Sequence, residues 1–193
     1  MKDALADFLR AYQWSALDDE DLAEAAVMLL LYPTPRGVHT VFQKRSERVL
    51  HHKGQISLPG GAREAADPSL AAAALRETHE EIGVPPESVH LLGRLDDIRT
   101  ISRFRVTPFV GWFERGDFDW KHSDLEVAYL LDVSLDHLSH PETFVPDGRE
   151  AEGRLVEMPS YRVGEDLIWG ATGRIVSNFL DVLMAAGLHA HAR

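Results

Sequence analysis

Three glutamates, Glu77, Glu80 and Glu81, lie close together in the sequence. On an α-helix, Glu77 and Glu81 are neighbours one turn apart, and Glu80 lies beside them. Carboxylate oxygens are the protein ligands that Mg²⁺ prefers, and this ion often bridges them to substrate phosphates. The cluster therefore predicts either a site for a hard divalent cation or, in the alternative interpretation, a solvated charged helix face.

A Pro-Gly-Gly turn precedes the cluster at residues 59–61. Glycine lets the backbone adopt unusual angles and approach a ligand closely, so Gly60 or Gly61 can present a carbonyl oxygen to a cation. Arg76 offsets part of the repulsion between the glutamates by pairing with Glu80, four residues further along the helix. The turn favours the cation site over the solvated face.

Turn signals and hydrophobic periodicity predict the elements that position these groups. Asp67 and Pro68 predict the start of the glutamate helix, as N-cap and first helical residue, and Gly83 predicts its end. Strands interrupted by helices favour an α/β fold with a mixed sheet covered by helices. The remaining predicted elements are helices over residues 2–12 and 171–188 with a shorter one within 132–140, a β-hairpin over 25–45, a loop over 46–56, and strands over 89–95, 104–113, 125–133 and 154–158.

The chain has 193 residues, a net charge of −11 and no cysteine. We expect a single domain over residues 1–193, with an N-terminal helical extension over 1–20 and a tail at 189–193. The lack of cysteine excludes disulfides and thiolate sites, and the acidic charge disfavours nucleic-acid and membrane partners. The N-terminus lacks the pattern of a secretory signal, and the longest apolar run, residues 25–32, is too short to span a bilayer. We therefore expect a cytoplasmic protein.

The segment ALRETHEEIGV, at residues 74–84, resembles the Nudix box, GX5EX7REUXEEXGU, in which U is an aliphatic residue. The resemblance implies a Nudix-like α/β/α sandwich with a mixed β-sheet. It also implies metal-dependent hydrolysis of a nucleoside diphosphate that is linked to another moiety. The residues that match the box are Arg76, Glu77, Glu80, Glu81, Gly83 and Val84.

The sequence departs from the box at two points. Thr78 replaces the first aliphatic residue, and the spacing from Gly61 to Arg76 is one residue longer, with Asp67 where the first glutamate is expected. This longer spacing resembles the coenzyme A pyrophosphatase branch of the Nudix hydrolases.

The segment KRSERVLHHKGQISLPGG, at residues 44–61, resembles the upstream signature of the same branch. The later segments FRVTPFVGWF, LEVAYL and IWGATGRIV, at residues 104–113, 125–130 and 168–176, also resemble this branch, so the resemblance spans about residues 25–185. The resemblance implies cleavage of the pyrophosphate bond of coenzyme A or its derivatives, giving 3′,5′-ADP and 4′-phosphopantetheine or its acylated form. The signature residues present here are Arg45, Ser46, Leu50, Gly54 and the Pro-Gly-Gly turn.

The resemblance also implies roles for the site residues. Glu77, Glu80, Glu81 and the Gly61 carbonyl are expected to bind Mg²⁺ or Mn²⁺, and Arg76 is expected to orient a glutamate. Two groups remain candidates for the base that deprotonates water, Glu80 and Glu126, and a plain exposed carboxylate is the alternative for Glu126. The expected catalytic residues are thus Glu77, Glu80, Glu81 and Glu126.

A dense basic stretch before the box is expected to receive the phosphates of the substrate. An ordinary solvated loop is the alternative interpretation of this stretch. The expected substrate-binding residues are Arg45, Ser46, Arg48, His52, Lys53, Gly60 and Gly61, and His51 lies in the same stretch.

Two other functions stay open from the sequence. One is the same chemistry on another nucleoside diphosphate derivative, such as ADP-ribose, NADH or a dinucleotide, because loops set substrate choice. The other is a non-catalytic regulator that binds a nucleotide metabolite. We expect a small-molecule partner and neither nucleic acid nor membrane, and the sequence leaves the oligomeric state open.

Overall fold

The structure, a computed structural model, describes residues 1–48, 52–115, 118–151 and 154–188. Some sequence-based predictions lie outside the described residues, namely those on Leu50, His51 and the tail at 189–193. In the part of the chain that is described, no helix is long and apolar enough to cross a membrane.

The predicted helices, the hairpin and the predicted strands are all confirmed to within a few residues at their ends. The helices are α1 (Lys2–Ala11), α2 (Leu70–Ile82), α3 (Leu135–Ser139) and α4 (Gly170–Ala185), with 3₁₀ turns at Pro86–Ser88 and Pro141–Thr143. The strands are β1 (Ala23–Thr34), β2 (Gly37–Arg45), β3 (Ile56–Ser57), β4 (Gly60–Ala62), β5 (Val89–Arg94), β6 (Ile98–Arg99), β7 (Phe104–Phe113), β8 (Val127–Ser134), β9 (Asp147–Ala151), β10 (Arg154–Met158), β11 (Tyr161–Val163) and β12 (Asp166–Ile168).

Within the described residues, β1 to β8 form one eight-stranded sheet. Its path runs β3-β2-β1-β7-β5, with β4 beside β1, β6 beside β7 and β8 beside β2. Strands β1 and β7 run parallel, whereas the other neighbours run antiparallel. The predicted mixed sheet is therefore confirmed.

Helices cover both faces of the sheet. On one face, α2 packs Ala74 against the sheet in a core that includes Leu30. On the other face, Leu9 of α1 and Phe179 of α4 share a core with Leu29. Because strand side chains alternate between the faces, neighbouring residues of β1 serve opposite helix layers. The result is the expected α/β/α sandwich.

The start of α2 differs from the prediction. The helix begins at Leu70, and Ser69 caps it by accepting a backbone N–H from the first turn at 3.1 Å. The Asp67 carboxylate instead accepts two hydrogen bonds from the Arg76 guanidinium, both at 3.0 Å. A charged donor is a stronger partner for a carboxylate than a helix N–H. Asp67 and Pro68 therefore lie in the loop before the helix, and the predicted N-cap was wrong.

Two further features of α2 concern Thr78 and the end of the helix. Thr78, which departs from the Nudix box, is buried and donates its hydroxyl to the Ala74 carbonyl oxygen at 2.6 Å. Its hydroxyl is therefore satisfied inside the helix. Gly83 ends the helix in the left-handed conformation, with φ of 76°, as predicted.

Candidate active site

The three glutamates of α2 run from the surface into the interior. Glu80 is exposed, Glu77 is half-buried, and Glu81 is only 3% exposed. The Glu81 Oε2 atom accepts a hydrogen bond from the Gly60 backbone N–H at 2.8 Å. The Pro-Gly-Gly turn and the glutamate cluster therefore meet, as their types and spacing suggested.

The end of β2 contributes Arg45 and Gln43, whose side chains both lie beside Glu81. Arg45 Nη1 lies 3.7 Å from Glu81 Oε1, and the fully buried Gln43 lies beside the same carboxylate. Burial raises the pKa of Glu81 to about 7, and the Gly60 N–H, Gln43 and Arg45 act against that rise. The sequence analysis missed Gln43, although a polar residue at a core-facing position of an apolar strand is a usable signal.

Arg76 joins the cluster to the loop before α2. Its Nη1 donates to Glu77 Oε1 at 2.9 Å and to Glu80 Oε2 at 3.0 Å. Its Nη2 donates to the Ala62 carbonyl oxygen at 3.2 Å and to Asp67 Oδ2 at 3.0 Å, and its Nε donates to Asp67 Oδ1 at 3.0 Å. These partners, with Asp67 foremost, raise the pKa of Arg76, so it stays charged. The predicted pairing with Glu80 is confirmed.

Glu77 lies against the Pro-Gly-Gly turn, and the charges of nearby carboxylates affect its pKa. A Cβ atom placed on Gly61 would fall 2.5 Å from Glu77 Oε1. Burial raises the pKa of Glu77, Arg76 lowers it, and the charges of Glu80 and Glu126 raise it further. The structure therefore brings the four predicted acids into one electrostatic cluster.

The loop before β8, which carries Glu126, is anchored beside the site. The Ser123 N–H donates to the Glu81 carbonyl oxygen at 3.1 Å, and the Ser46 N–H donates to the Glu126 carbonyl oxygen at 2.8 Å. Trp120 packs on Tyr32 of β1, with ring centroids 5.1 Å apart. Ser46 itself is buried, so the structure places it behind the loop rather than at the surface.

The other predicted substrate residues lie on the loop between β2 and β3. Arg48, His52 and Lys53 are all exposed. The Arg48 N–H donates to Ser46 Oγ at 3.1 Å, which ties the start of this loop to the buried serine. Arg48 and Lys53 add positive charge at the surface, on the loop that follows Arg45.

The donor set suits a hard divalent cation. Glu77 and Glu81 are carboxylates withdrawn from water beside other carboxylates, and a cation would relieve their repulsion. Among the described residues, no three acidic or histidine side chains have already converged as metal ligands. Arg76 and Arg45 lie against carboxylate oxygens of Glu77 and Glu81, so a bound ion would compete with these contacts.

Gly61→Ala is expected to reduce activity about a hundredfold because the new methyl group displaces the Glu77 carboxylate by about 1 Å. The displaced atoms are the end of a flexible side chain, so Tm should shift by no more than about 4 °C. At Gly60 a Cβ would meet the backbone of Ala26 and Val27, and φ is 148°. Gly60→Ala should therefore unfold the protein at a much lower temperature. Full activity of Gly61→Ala would show that Glu77 need not keep its place.

Residues 22–156 of the chain match the NUDIX domain family. A Nudix hydrolase from Pectobacterium atrosepticum, described as uncharacterized and named NudL, is 32% identical over 181 residues, which cover 90% of this chain and 91% of the relative. NudL from Citrobacter koseri is 33% identical over 178 residues, covering 89% of this chain and 91% of the relative. The chain therefore belongs to the Nudix family.

Solved structures agree with this assignment. The Nudix hydrolase RenU from M. smegmatis superposes with a TM-score of 0.51 and 26% identity, covering 62% of this chain and 77% of that chain. A MutT/nudix family protein from Enterococcus faecalis superposes with a TM-score of 0.57 and 20% identity, covering 93% of this chain and 70% of that chain. The second likeness concerns the fold alone.

Proposed function

We propose that this Nudix hydrolase is a metal-dependent coenzyme A diphosphatase, which releases 3′,5′-ADP and 4′-phosphopantetheine or its acylated form. The observation that carries the proposal is the position of the segment before the Pro-Gly-Gly turn. Arg45 of this segment reaches Glu81, and Ser46 binds the backbone of Glu126. The segment that resembles the coenzyme A branch therefore forms one wall of the carboxylate cluster.

The proposed ligands of Mg²⁺ or Mn²⁺ are Glu77, Glu80, Glu81 and the Gly61 carbonyl, since both ions accept oxygen ligands. When bound, the ion offsets the negative charge of the pyrophosphate oxygens and lowers the pKa of bound water. Arg76 donates to both Glu77 and Glu80 and so holds the two carboxylates in place.

Glu126 suits the role of general base better than Glu80. The Arg76 guanidinium donates to Glu80 Oε2 at 3.0 Å, so that this carboxylate oxygen is already engaged in a charged pair. Glu126 is exposed on an anchored loop, where an attacking water molecule can reach its carboxylate. In this proposal Glu126 takes the proton from that water molecule.

The basic loop accounts for the choice of substrate. Coenzyme A carries a 3′-phosphate in addition to its pyrophosphate, so it needs positive charge at two places. Arg45 lies at the carboxylate cluster and suits the pyrophosphate, and the exposed Arg48, His52 and Lys53 suit the 3′-phosphate. Gly60 and Gly61 shape the site instead, because a side chain at either position would clash with the backbone of Ala26 and Val27 or with the Glu77 carboxylate.

A product assay tests the proposal. The protein is incubated with coenzyme A and Mg²⁺ or Mn²⁺, beside ADP-ribose, NADH and a diadenosine polyphosphate, and the products are identified by mass. We expect preferential release of 3′,5′-ADP from coenzyme A. Cleavage of only the other compounds would contradict the substrate and leave a Nudix pyrophosphatase. Binding without cleavage of any compound would contradict the enzymatic activity and favour a nucleotide-binding regulator.

Arg45→Ala is expected to raise the KM for coenzyme A about 10–100-fold, because a charge-assisted hydrogen bond to phosphate is lost. The matched control is Arg36→Ala, which removes the same charge from the exposed turn at the other end of β2. Steady-state kinetics at saturating cation measure both variants. An unchanged KM for Arg45→Ala would remove Arg45 from the phosphate site.

A further inference from the structure

Gln43 is a buried polar side chain for which the proposed mechanism has no role. It lies in β2 and is 0% exposed. Within the described structure, neither its Nε2 nor its Oε1 has a hydrogen-bond partner of normal geometry. A buried amide without partners costs stability, and such groups in native proteins often mark functional sites. The position therefore calls for an explanation other than packing.

The neighbours of Gln43 suggest what its amide does. Its side chain, like that of Arg45, lies beside the buried Glu81 carboxylate. An ionised carboxylate only accepts hydrogen bonds, whereas the amide nitrogen of glutamine donates two. Glu81 already accepts from the Gly60 N–H through Oε2, and Arg45 is 3.7 Å from Oε1. The Gln43 amide is thus a further donor facing the same group.

We propose that Gln43 is a positioning residue, whose Nε2 donates a hydrogen bond to the Glu81 carboxylate when Glu81 binds the divalent cation. This inference rests on the proposed cation-dependent function. A neutral donor suits this position because it orients the carboxylate without adding positive charge that opposes the cation, as a second arginine would. Partners that orient metal ligands in this way typically contribute about 10–100-fold to metal affinity or activity.

The test compares Gln43→Met, which keeps the length of the side chain and removes the amide, with Thr40→Val. Thr40 is also 0% exposed on β2, and its hydroxyl also lacks a partner among the described residues. It is on the opposite face of the strand, away from Glu81. Mn²⁺ affinity is measured by titration without substrate, and Tm is measured in the absence of any divalent cation.

Gln43→Met is expected to bind Mn²⁺ about 10–100-fold more weakly than the wild type, with a cation-free Tm that is equal or higher. Thr40→Val is expected to keep the wild-type Mn²⁺ affinity. At saturating coenzyme A, Gln43→Met should lose kcat at low Mn²⁺ and recover part of it at high Mn²⁺. Gln43→Leu provides the same comparison if the methionine variant does not fold.

An unchanged Mn²⁺ affinity of Gln43→Met would overturn the inference, and a lower Tm beside it would make Gln43 a structural residue. Failure of the proposed substrate alone, with no release of 3′,5′-ADP, would leave the Mn²⁺ comparison intact. Failure of the wild type to bind Mn²⁺ would overturn the cation site and this inference together. The two failures are therefore distinguishable.

Discussion

Replacing Glu81 by glutamine is expected to reduce turnover about a hundredfold or more while the fold stays intact. The glutamine oxygen can still accept the Gly60 N–H, which is 2.8 Å from the carboxylate in the structure. Because Glu81 is 3% exposed, a neutral side chain of the same shape is easier to bury, so Tm should not fall. The lost charge weakens the side chain that we propose as a ligand for the cation. Turnover and thermal unfolding are the two measurements.

Thermal unfolding with and without Mn²⁺ separates this role from a general effect of charge. Mn²⁺ should raise the Tm of the wild type, since a ligand that binds the folded state stabilises it, and it should raise the Tm of Glu81→Gln much less. Glu87→Gln is the matched control, because Glu87 is exposed in the 3₁₀ turn after α2. Near-normal activity of Glu81→Gln would remove Glu81 from the proposed ligands.

Arg76→Ala is expected to lower both activity and stability. Arg76 donates to Asp67, Glu77, Glu80 and the Ala62 carbonyl oxygen, so its loss leaves several acceptors without their cation. Hydrogen bonds to charged groups are among the stronger ones, and we expect Tm to fall by about 5–10 °C. Turnover should fall as well, because the glutamates lose the group that orients them.

Two variants define the role of Arg76. Arg76→Lys keeps the charge but cannot make the planar fork of hydrogen bonds, so it should recover part of the stability and little of the activity. Arg10→Ala removes an arginine from a pair with Asp7 that is largely exposed, and such pairs contribute little. A wild-type Tm and turnover in Arg76→Ala would contradict the role of Arg76 in orienting the glutamates and stabilising the loop before α2.

Local signals predicted most of the elements. The β1–β2 hairpin follows from an apolar run and a turn, and the end of α2 follows from Gly83. The hairpin β11–β12 and strand β9 were not predicted, because short strands carry weak patterns. Part of what holds β12 is distant in sequence, since Lys44 of β2 pairs with Asp166 at 2.7 Å. The sequence around β12 does not contain Lys44, so local patterns could not predict this contact.

The start of α2 also depends on a contact that local sequence patterns do not reveal. Asp67 and Pro68 form a good local start signal, and Ser69 is an equally acceptable cap. The choice between them depended on the Arg76 guanidinium, which lies two turns into the helix and takes the Asp67 carboxylate. In the structure Asp67 pairs with Arg76, and Ser69 therefore caps the helix.

By itself the sequence determined which acids share α2, that a glycine turn precedes them, and that a basic segment comes before the turn. Those relations are set by spacing along the chain and by helical geometry. Only the tertiary structure decided that Glu80 remains in solvent while Glu81 is buried beside Gly60 and Gln43. The physical reason is that burial and pKa depend on what packs against a side chain. For Glu81 those neighbours come from β2 and the Pro-Gly-Gly turn, which only folding brings to α2.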